Sequence, residues 1–232
     1  MNTAVVSLSR AELELRIFMT RVYGWMSAAL FITAVVAMLA AASPTLAPAI
    51  AGNNLLFFGL IIGELALVVY LTAAIGKMSV GAATGAFIGF AVLNGLILSI
   101  IFLVFTRESI ASTFFVTAGT FGIMSAYGYF TKKDLTSVGN LCYMALIGVI
   151  IASIVNIFFF NKLFYWVITY IGIFVFIGLT AYDTQKIKQM AAGGTRGGQD
   201  FYQKGAIIGA LRLYLDFINL FLLLLRIFGR RR

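Results

Sequence analysis

The chain has 232 residues, of which 62% are apolar and only 11% are charged. Soluble domains hold about 25% charged residues, so this composition excludes a soluble protein and indicates an integral membrane protein in a lipid bilayer. The net charge of +9 lies between apolar segments rather than in one patch, which argues against nucleic acid as a partner. Cys142 is the only cysteine and histidine is absent, which excludes an internal disulfide and imidazole metal ligands.

Seven apolar segments are each long enough to form a helix that crosses a bilayer, which needs about 20 apolar residues. No soluble module separates them, so residues 1–232 are predicted to form a single all-α membrane domain. Residues 1–21 are predicted to form a short interfacial helix, Pro44 and Pro48 an uncharged loop, and the glycine-rich residues 184–204 a mobile loop. The predicted spans are about 22–42, 55–75, 80–105, 110–130, 138–160, 163–182 and 205–228.

Basic residues are divided unequally between the two sides of the membrane. With the N-terminus in the cytoplasm, only Arg107 and Lys162 fall in outside loops. Because cytoplasmic loops carry an excess of positive charge, this distribution predicts a cytoplasmic N-terminus. Residues 230–232 would lie outside after seven full spans and inside if the last helix were re-entrant; we expect seven full spans, since about 25 residues suffice to cross. The inside loops hold Arg10, Arg16, Arg21, Lys77, Lys132, Lys133, Lys186, Lys188, Arg196 and Lys204.

The last apolar segment carries polar residues at helical spacing. At about 100° per residue, five positions stay within roughly ±40° of one line along the helix; they are Arg212, Asp216, Asn219, Leu223 and Arg226. An ionised group at mid-bilayer costs at least about 2.5–3.5 kcal/mol, so this stripe cannot face lipid. We therefore expect the last helix to lie inside a helix bundle, with its stripe turned toward protein or water and Asn219 lining a polar path.

Four acidic residues are candidates for sites in the interior of the bundle: Glu64, Glu108, Asp183 and Asp216. Asp183 and Asp216 can meet only if the last helix starts well below the membrane surface or if the sixth span extends past Asp183. Two carboxylates that share a dry site can hold one proton between them near neutral pH. Two alternatives stay open, an ion pair of Asp216 with Arg212 one turn before it, and a buried salt bridge of Glu64 with Arg226.

Glycines recur every fourth residue in three spans, which is typical of close helix contacts in membranes. Chance also produces such spacing in glycine-rich membrane helices, so each contact is a hypothesis. The positions are Gly59 and Gly63, then Gly81, Gly85 and Gly89, and finally Gly205 and Gly209.

Four stretches of this sequence resemble the Bax inhibitor-1 family of membrane proteins, in particular its bacterial inner-membrane branch. They are V-Y-G-W-M at residues 22–26, Y-G-Y-F-T-K-K-D-L at 127–135, G-L-T-A-Y-D-T-Q-K-I-K at 178–188, and L-Y-L-D-F-I-N-L-F-L-L-L-L-R-I-F-G at 213–229. The likeness extends over essentially the whole chain beyond the first 15 residues. It implies seven helices, with the last one central and ringed by the other six.

The resemblance also implies a pH-sensitive calcium leak. In the family, an aspartate in a T-A-Y-D motif and another in an L-Y-L-D-F motif form a hydrogen-bonded pair near the cytoplasmic mouth. The matching residues are Asp183 and Asp216, which become the expected pH sensor and the candidate calcium ligands.

Among the other charged residues, some match the family pattern and one departs from it. Glu64 and Arg226 match its buried charged residues, and Lys77 is the nearest match to a basic residue that holds the aspartate pair in some members. Arg212 departs from the family pattern, because that position is usually small or uncharged. A guanidinium there can compete for Asp216.

Three functions remain to be separated. The first is a calcium leak that uses protons and calcium but no cofactor. The second is a non-conducting regulator that binds a membrane protease or a cell-death factor, roles to which relatives are linked. The third is an intramembrane aspartyl protease, but the sequence around Asp216 lacks the G-x-G-D context of those enzymes, and we expect no enzymatic activity.

Overall fold

The computed structural model describes the backbone of residues 2–193 and 198–232, and the side chains of residues 12–191, 198 and 200–232. Within these residues the chain is helical apart from short turns. The helices are α1 Asn2–Ala42, α2 Leu46–Gly52, α3 Asn54–Ala74, α4 Val80–Leu98, α5 Ile101–Val104, α6 Arg107–Phe130, α7 Thr136–Phe159, α8 Lys162–Gly193 and α9 Gly198–Phe228.

Seven helical segments of the described chain are long and apolar enough to cross a membrane, which confirms the predicted number. α4 and α5 together form the third of them. The last is the most buried: 72% of its most apolar stretch is buried, against at most 39% in any other span. The spans are Glu12–Ala42, Asn54–Ala74, Val80–Val104, Arg107–Phe130, Thr136–Phe159, Lys162–Ala191 and Asp200–Phe228.

The ends of three helices differ from the prediction. α1 runs without a break through the segment predicted as a separate interfacial helix. α8 continues ten residues past Asp183 to Gly193, and α9 begins at Gly198, so most of the predicted loop 184–204 is helical. Lysine and glutamine are good helix formers, so the helix persists where hydropathy falls. The predicted mobility of the glycine-rich stretch falls on residues 194–197, which lie outside the described residues.

A short helix, α2, replaces the predicted loop after the first span. Pro48 is its third residue. The first turn of a helix has no intrahelical acceptor for its N–H groups, so a proline there removes no hydrogen bond. Pro44 lies just before α2, in the turn that follows α1.

The closest glycine contacts lie elsewhere than the four-residue repeats predicted. A Cβ atom at Gly59, Gly81 or Gly85 would meet no other group within 4 Å. By contrast, a Cβ at Gly95 would come within 2.8 Å of the backbone oxygen of Thr33, so α1 and α4 cross closely there. Spacing alone does not reveal which face of a helix meets a neighbour.

The described residues sort into two compact units. Unit 1 contains Met1–Phe105, Gln189–Tyr214 and Arg231–Arg232, and its buried core includes Phe87, Phe90 and Tyr214. Unit 2 contains Thr106–Lys188 and Leu215–Arg230. Its core is apolar and combines residues of α8 with residues of the second half of α9: Ile173, Val175, Phe176, Leu179, Leu220, Leu223 and Leu224.

The end of α9 lies beside the start of α6. Within unit 2 the Thr106 N–H donates to the Arg230 carbonyl at 2.9 Å. Within unit 1 the Arg232 N–H donates to the Val104 carbonyl at 3.0 Å. If successive spans alternate in direction, this position agrees with a full seventh crossing rather than a re-entrant one.

Candidate functional site

Asp183 is buried in the membrane-spanning part of α8 and has a tyrosine partner on α7. Only 3% of the residue is exposed. The Tyr143 hydroxyl donates to the carboxylate, with its oxygen 3.2 Å from Oδ1 and 3.4 Å from Oδ2. The Tyr143 ring packs edge-on against Tyr182, the residue before Asp183. The carboxylate is therefore held between α7 and α8.

Two glycines let α6 and α7 approach α8 at the level of Asp183. A Cβ atom at Gly128 of α6 would overlap the backbone of Ala181, and one at Gly139 of α7 would overlap the Tyr182 ring. The Ser125 and Thr184 hydroxyls lie 2.9 Å apart and join α6 to α8. Backbone proximity and hydrogen bonds thus determine where the carboxylate lies.

Asp216 is buried in α9 and belongs to the same unit as Asp183. It is 4% exposed, and its carboxylate lies within electrostatic range of the Cys142 thiol. Cys142 precedes Tyr143 on α7, and their Cα atoms are about 3.8 Å apart because they are consecutive residues. On α7, Tyr143 is thus bonded to Asp183, and the Cys142 thiol that precedes it is within electrostatic range of Asp216.

Glu64 and Asn94 form a second polar pair, in unit 1. The Asn94 side-chain amide on α4 donates to the Glu64 carboxylate on α3. From the sequence, Arg226 is a candidate partner of Glu64. In the structure, the neutral amide of Asn94 donates a hydrogen bond to the Glu64 carboxylate. Sequence reasoning missed Asn94, although a lone amide in the apolar residues 80–98 is a usable signal.

Tyr214 joins α9 to α1 inside the same unit. Its hydroxyl lies 2.6 Å from the Thr33 hydroxyl, which itself donates to the Ala91 carbonyl at 2.9 Å. Since the Thr33 hydroxyl has one proton, Tyr214 is the donor of the shorter bond. These two hydrogen bonds link α9, α1 and α4.

The remaining predicted residues lie at less enclosed positions. Arg226 is exposed, with its guanidinium carbon 5.3 Å from the centre of the Tyr165 ring, a cation–π contact within unit 2. Arg212 is exposed on α9, and Lys77 is exposed in the turn between α3 and α4. Asn219 donates to the Leu215 carbonyl of its own helix at 2.8 Å, so its role in lining a path stays a prediction.

The side chains around the aspartates supply few metal ligands. Among the described residues, no group of three or more histidine, cysteine, aspartate or glutamate residues could hold a metal ion. Calcium takes six to eight oxygen ligands, so a calcium ion at Asp183 and Asp216 would need most of them from backbone carbonyls or water.

These features define a class of protein. Seven apolar helices, the last of them mostly buried, together with carboxylates inside the spans, describe a polytopic α-helical membrane protein with intramembrane acidic residues.

Comparison with known proteins narrows this class to a family. The family described as "Inhibitor of apoptosis-promoting Bax1" matches residues 15–232. The chain belongs to this family, the Bax inhibitor-1 family. It is 51% identical over 226 residues to the inner membrane protein YbhL of Escherichia coli, with 97% of each chain covered. An uncharacterized protein of Borreliella burgdorferi is 40% identical, with 98% of this chain and 99% of the relative covered.

Proposed function

We propose that this protein is a pH-sensitive calcium leak channel in a bacterial inner membrane, gated by protonation of Asp183 and Asp216. The observation that carries the proposal is the burial of both carboxylates, 3% and 4% exposed, in membrane-spanning helices of one unit. Ionisable groups in such positions are costly and mark ion pathways or proton relays. The function is conduction, with no enzymatic step and no cofactor.

Protonation supplies the switch in this proposal. Two ionised carboxylates in a dry site repel each other, and one shared proton removes that repulsion. Their oxygens are also the ligand type that calcium prefers. The titratable groups that face them from α7 are Tyr143 and Cys142, and Arg212 precedes Asp216 by one turn on α9.

The proposed location in the inner membrane rests on the name of a relative, and the proposed orientation rests on the distribution of basic residues. YbhL is named an inner membrane protein. The excess of lysine and arginine in alternate loops favours an N-terminus in the cytoplasm. The partners are then the lipid bilayer, protons and calcium.

Calcium flux into proteoliposomes, followed with an entrapped indicator between about pH 6 and 8, tests the proposal. Wild type should conduct calcium with a clear pH dependence, and Asp183→Asn and Asp216→Asn should each abolish that dependence. Asp200→Asn is the matched control, because Asp200 is an exposed aspartate of α9. Unchanged pH dependence in both variants would overturn the proposal.

A second candidate is a non-conducting regulator that binds a membrane protein. It is favoured by an exposed apolar face of α3, formed by residues that include Ile62, Leu65, Ala66, Val69 and Tyr70. A photo-crosslinker at position 69 that captures another membrane protein in cells, from a chain that conducts no calcium, would support it. Calcium conduction by wild type in proteoliposomes would contradict it.

A further inference from the structure

The turn between α6 and α7 exposes two adjacent lysines, Lys132 and Lys133. They belong to the Y-G-Y-F-T-K-K-D-L stretch, which the calcium-leak proposal does not use. The α6–α7 turn is defined here as residues 131–135. It lies entirely within unit 2.

A buried glutamine of α8 holds this turn in one conformation. The Gln185 side chain accepts from the Leu135 N–H at 2.9 Å and donates to the Lys133 carbonyl at 2.8 Å. The Lys133 N–H in turn donates to the Thr131 hydroxyl at 3.2 Å. The backbone that carries both lysines is thus fixed from both ends, which lowers the entropy lost when a ligand binds.

The charged side chains near the turn form hydrogen bonds or ring contacts within the protein. The Asp134 carboxylate accepts from the Thr136 N–H at 2.9 Å and from the Thr136 hydroxyl at 2.7 Å. Lys188 donates to the Tyr129 carbonyl at 2.7 Å, and Lys186 lies over the Tyr182 ring. Lys186 and Lys188 add positive potential, while the side chains of Lys132 and Lys133 point to the exterior.

The position of the turn relative to the ends of the spans indicates which ligand it binds. α6 ends at Phe130 and α7 begins at Thr136, so the lysines lie a few residues beyond the ends of two spans. Phe130 is 75% exposed, and the Tyr127 side chain is also exposed, as in the aromatic belt at a membrane interface. Lysines just outside such a belt lie at the level of the phospholipid headgroups.

We propose that the α6–α7 turn is a binding surface for the phosphate headgroup of an anionic phospholipid, with Lys132 and Lys133 as its main contacts. The proposal is separate from calcium conduction. Each lysine near an anionic surface contributes about fivefold to binding, so loss of both should weaken it about 25-fold.

Native mass spectrometry of the full chain, titrated in detergent with phosphatidylglycerol or phosphatidylcholine, tests this surface. Wild type should bind phosphatidylglycerol in preference to phosphatidylcholine. Lys132→Gln with Lys133→Gln should lose that preference, whereas Lys77→Gln with Lys162→Gln should keep it. The control changes the same number of exposed lysines, one in the turn between α3 and α4 and one at the first residue of α8.

A second variant and a competitor sharpen the test. Gln185→Ala keeps every lysine but releases the turn, so it should weaken phosphatidylglycerol binding less than the double lysine change does. Soluble glycerol 3-phosphate should not compete at the concentration of the lipid. Equal binding by wild type and the double lysine variant, equal binding of the two lipids, or full competition by glycerol 3-phosphate would each overturn the proposal.

Discussion

The hydroxyl of Tyr143 on α7 donates to the buried carboxylate of Asp183 on α8, at 3.2 Å from the nearer oxygen. A carboxylate surrounded by apolar helices depends on such a donor, because an unpaired charge in that environment is costly. The preceding residue, Cys142, lies near Asp216. One turn of α7 therefore holds Asp183 and carries a thiol within electrostatic range of Asp216.

Tyr143→Phe should destabilise the protein by about 1.5–3 kcal/mol if Asp183 is ionised, since it removes a hydrogen bond to a charged group. The loss should be smaller at a pH where Asp183 is protonated. Thermal unfolding in detergent at two pH values measures both. Tyr170→Phe, at an exposed tyrosine of α8, should leave the unfolding midpoint nearly unchanged. Equal midpoints for wild type and Tyr143→Phe at both pH values would contradict this expectation.

Asn94→Leu should destabilise the protein by about 1–2 kcal/mol, because Glu64 loses its amide donor inside the membrane. Glu64→Leu in the same chain should restore much of that loss, since no acidic group then needs a donor. A double-mutant cycle on the unfolding midpoint measures the coupling between the two side chains. Strictly additive effects would show that Glu64 relies on a different partner.

Gly128→Ala should destabilise the protein by about 1–3 kcal/mol, because its Cβ would overlap the Ala181 backbone and force α6 away from α8. Gly122→Ala lies on the same helix with nothing within 4 Å of its Cβ, so it should be neutral or stabilising by up to about 1 kcal/mol. Thermal unfolding of both variants gives the comparison. A similar midpoint for the two would argue against the close approach of α6 and α8.

Asp134 predicts a pH dependence of stability at the α6–α7 turn. Hydrogen bonds from the Thr136 hydroxyl and N–H hold the pKa of this carboxyl below its usual value of 3.8. A lowered pKa in the folded state means that the ionised form stabilises the fold above pH 3.8, and that this contribution is lost as the pH falls through the folded-state pKa. Wild type should therefore be more stable than Asp134→Asn above that range.

Unfolding midpoints of wild type and Asp134→Asn from neutral pH downward check this expectation. The two curves should converge at the acid end. Asp200→Asn is an exposed control on another helix. Curves that stay parallel across the whole range would contradict the assigned hydrogen bonds.

Hydropathy predicted the membrane spans well but misplaced helix ends. The seven spans follow from runs of apolar residues, since each bilayer crossing needs about 20 of them. The end of α8 was misplaced because Asp183 and the lysines after it lower hydropathy without disfavouring a helix. This extension past Asp183 is one of the two conditions under which the sequence allows Asp183 and Asp216 to meet.

The candidate site was only partly predictable. Asp183, Asp216 and Glu64 could be selected from the sequence, because acidic residues are rare and expensive in apolar segments. Their partners Tyr143 and Asn94 could not be assigned, because a hydrogen bond between helices depends on how each helix is rotated about its axis. Glycine spacing identified ordinary contacts at Gly63, Gly89 and Gly205 but, for the same reason, missed the closest ones, at Gly128 and Gly139.

The amino-acid sequence by itself determined that this is a membrane protein with seven membrane-spanning segments and that the last of them is buried. Both follow from the cost of placing polar groups in hydrocarbon, which depends on composition and on periodicity along a single helix. Only the tertiary structure decided which residues complete the polar pairs and where glycines allow helices to touch. Both depend on how each helix is rotated about its axis and on the angle at which it crosses its neighbours. These are set by packing between helices and not by the sequence of a single helix.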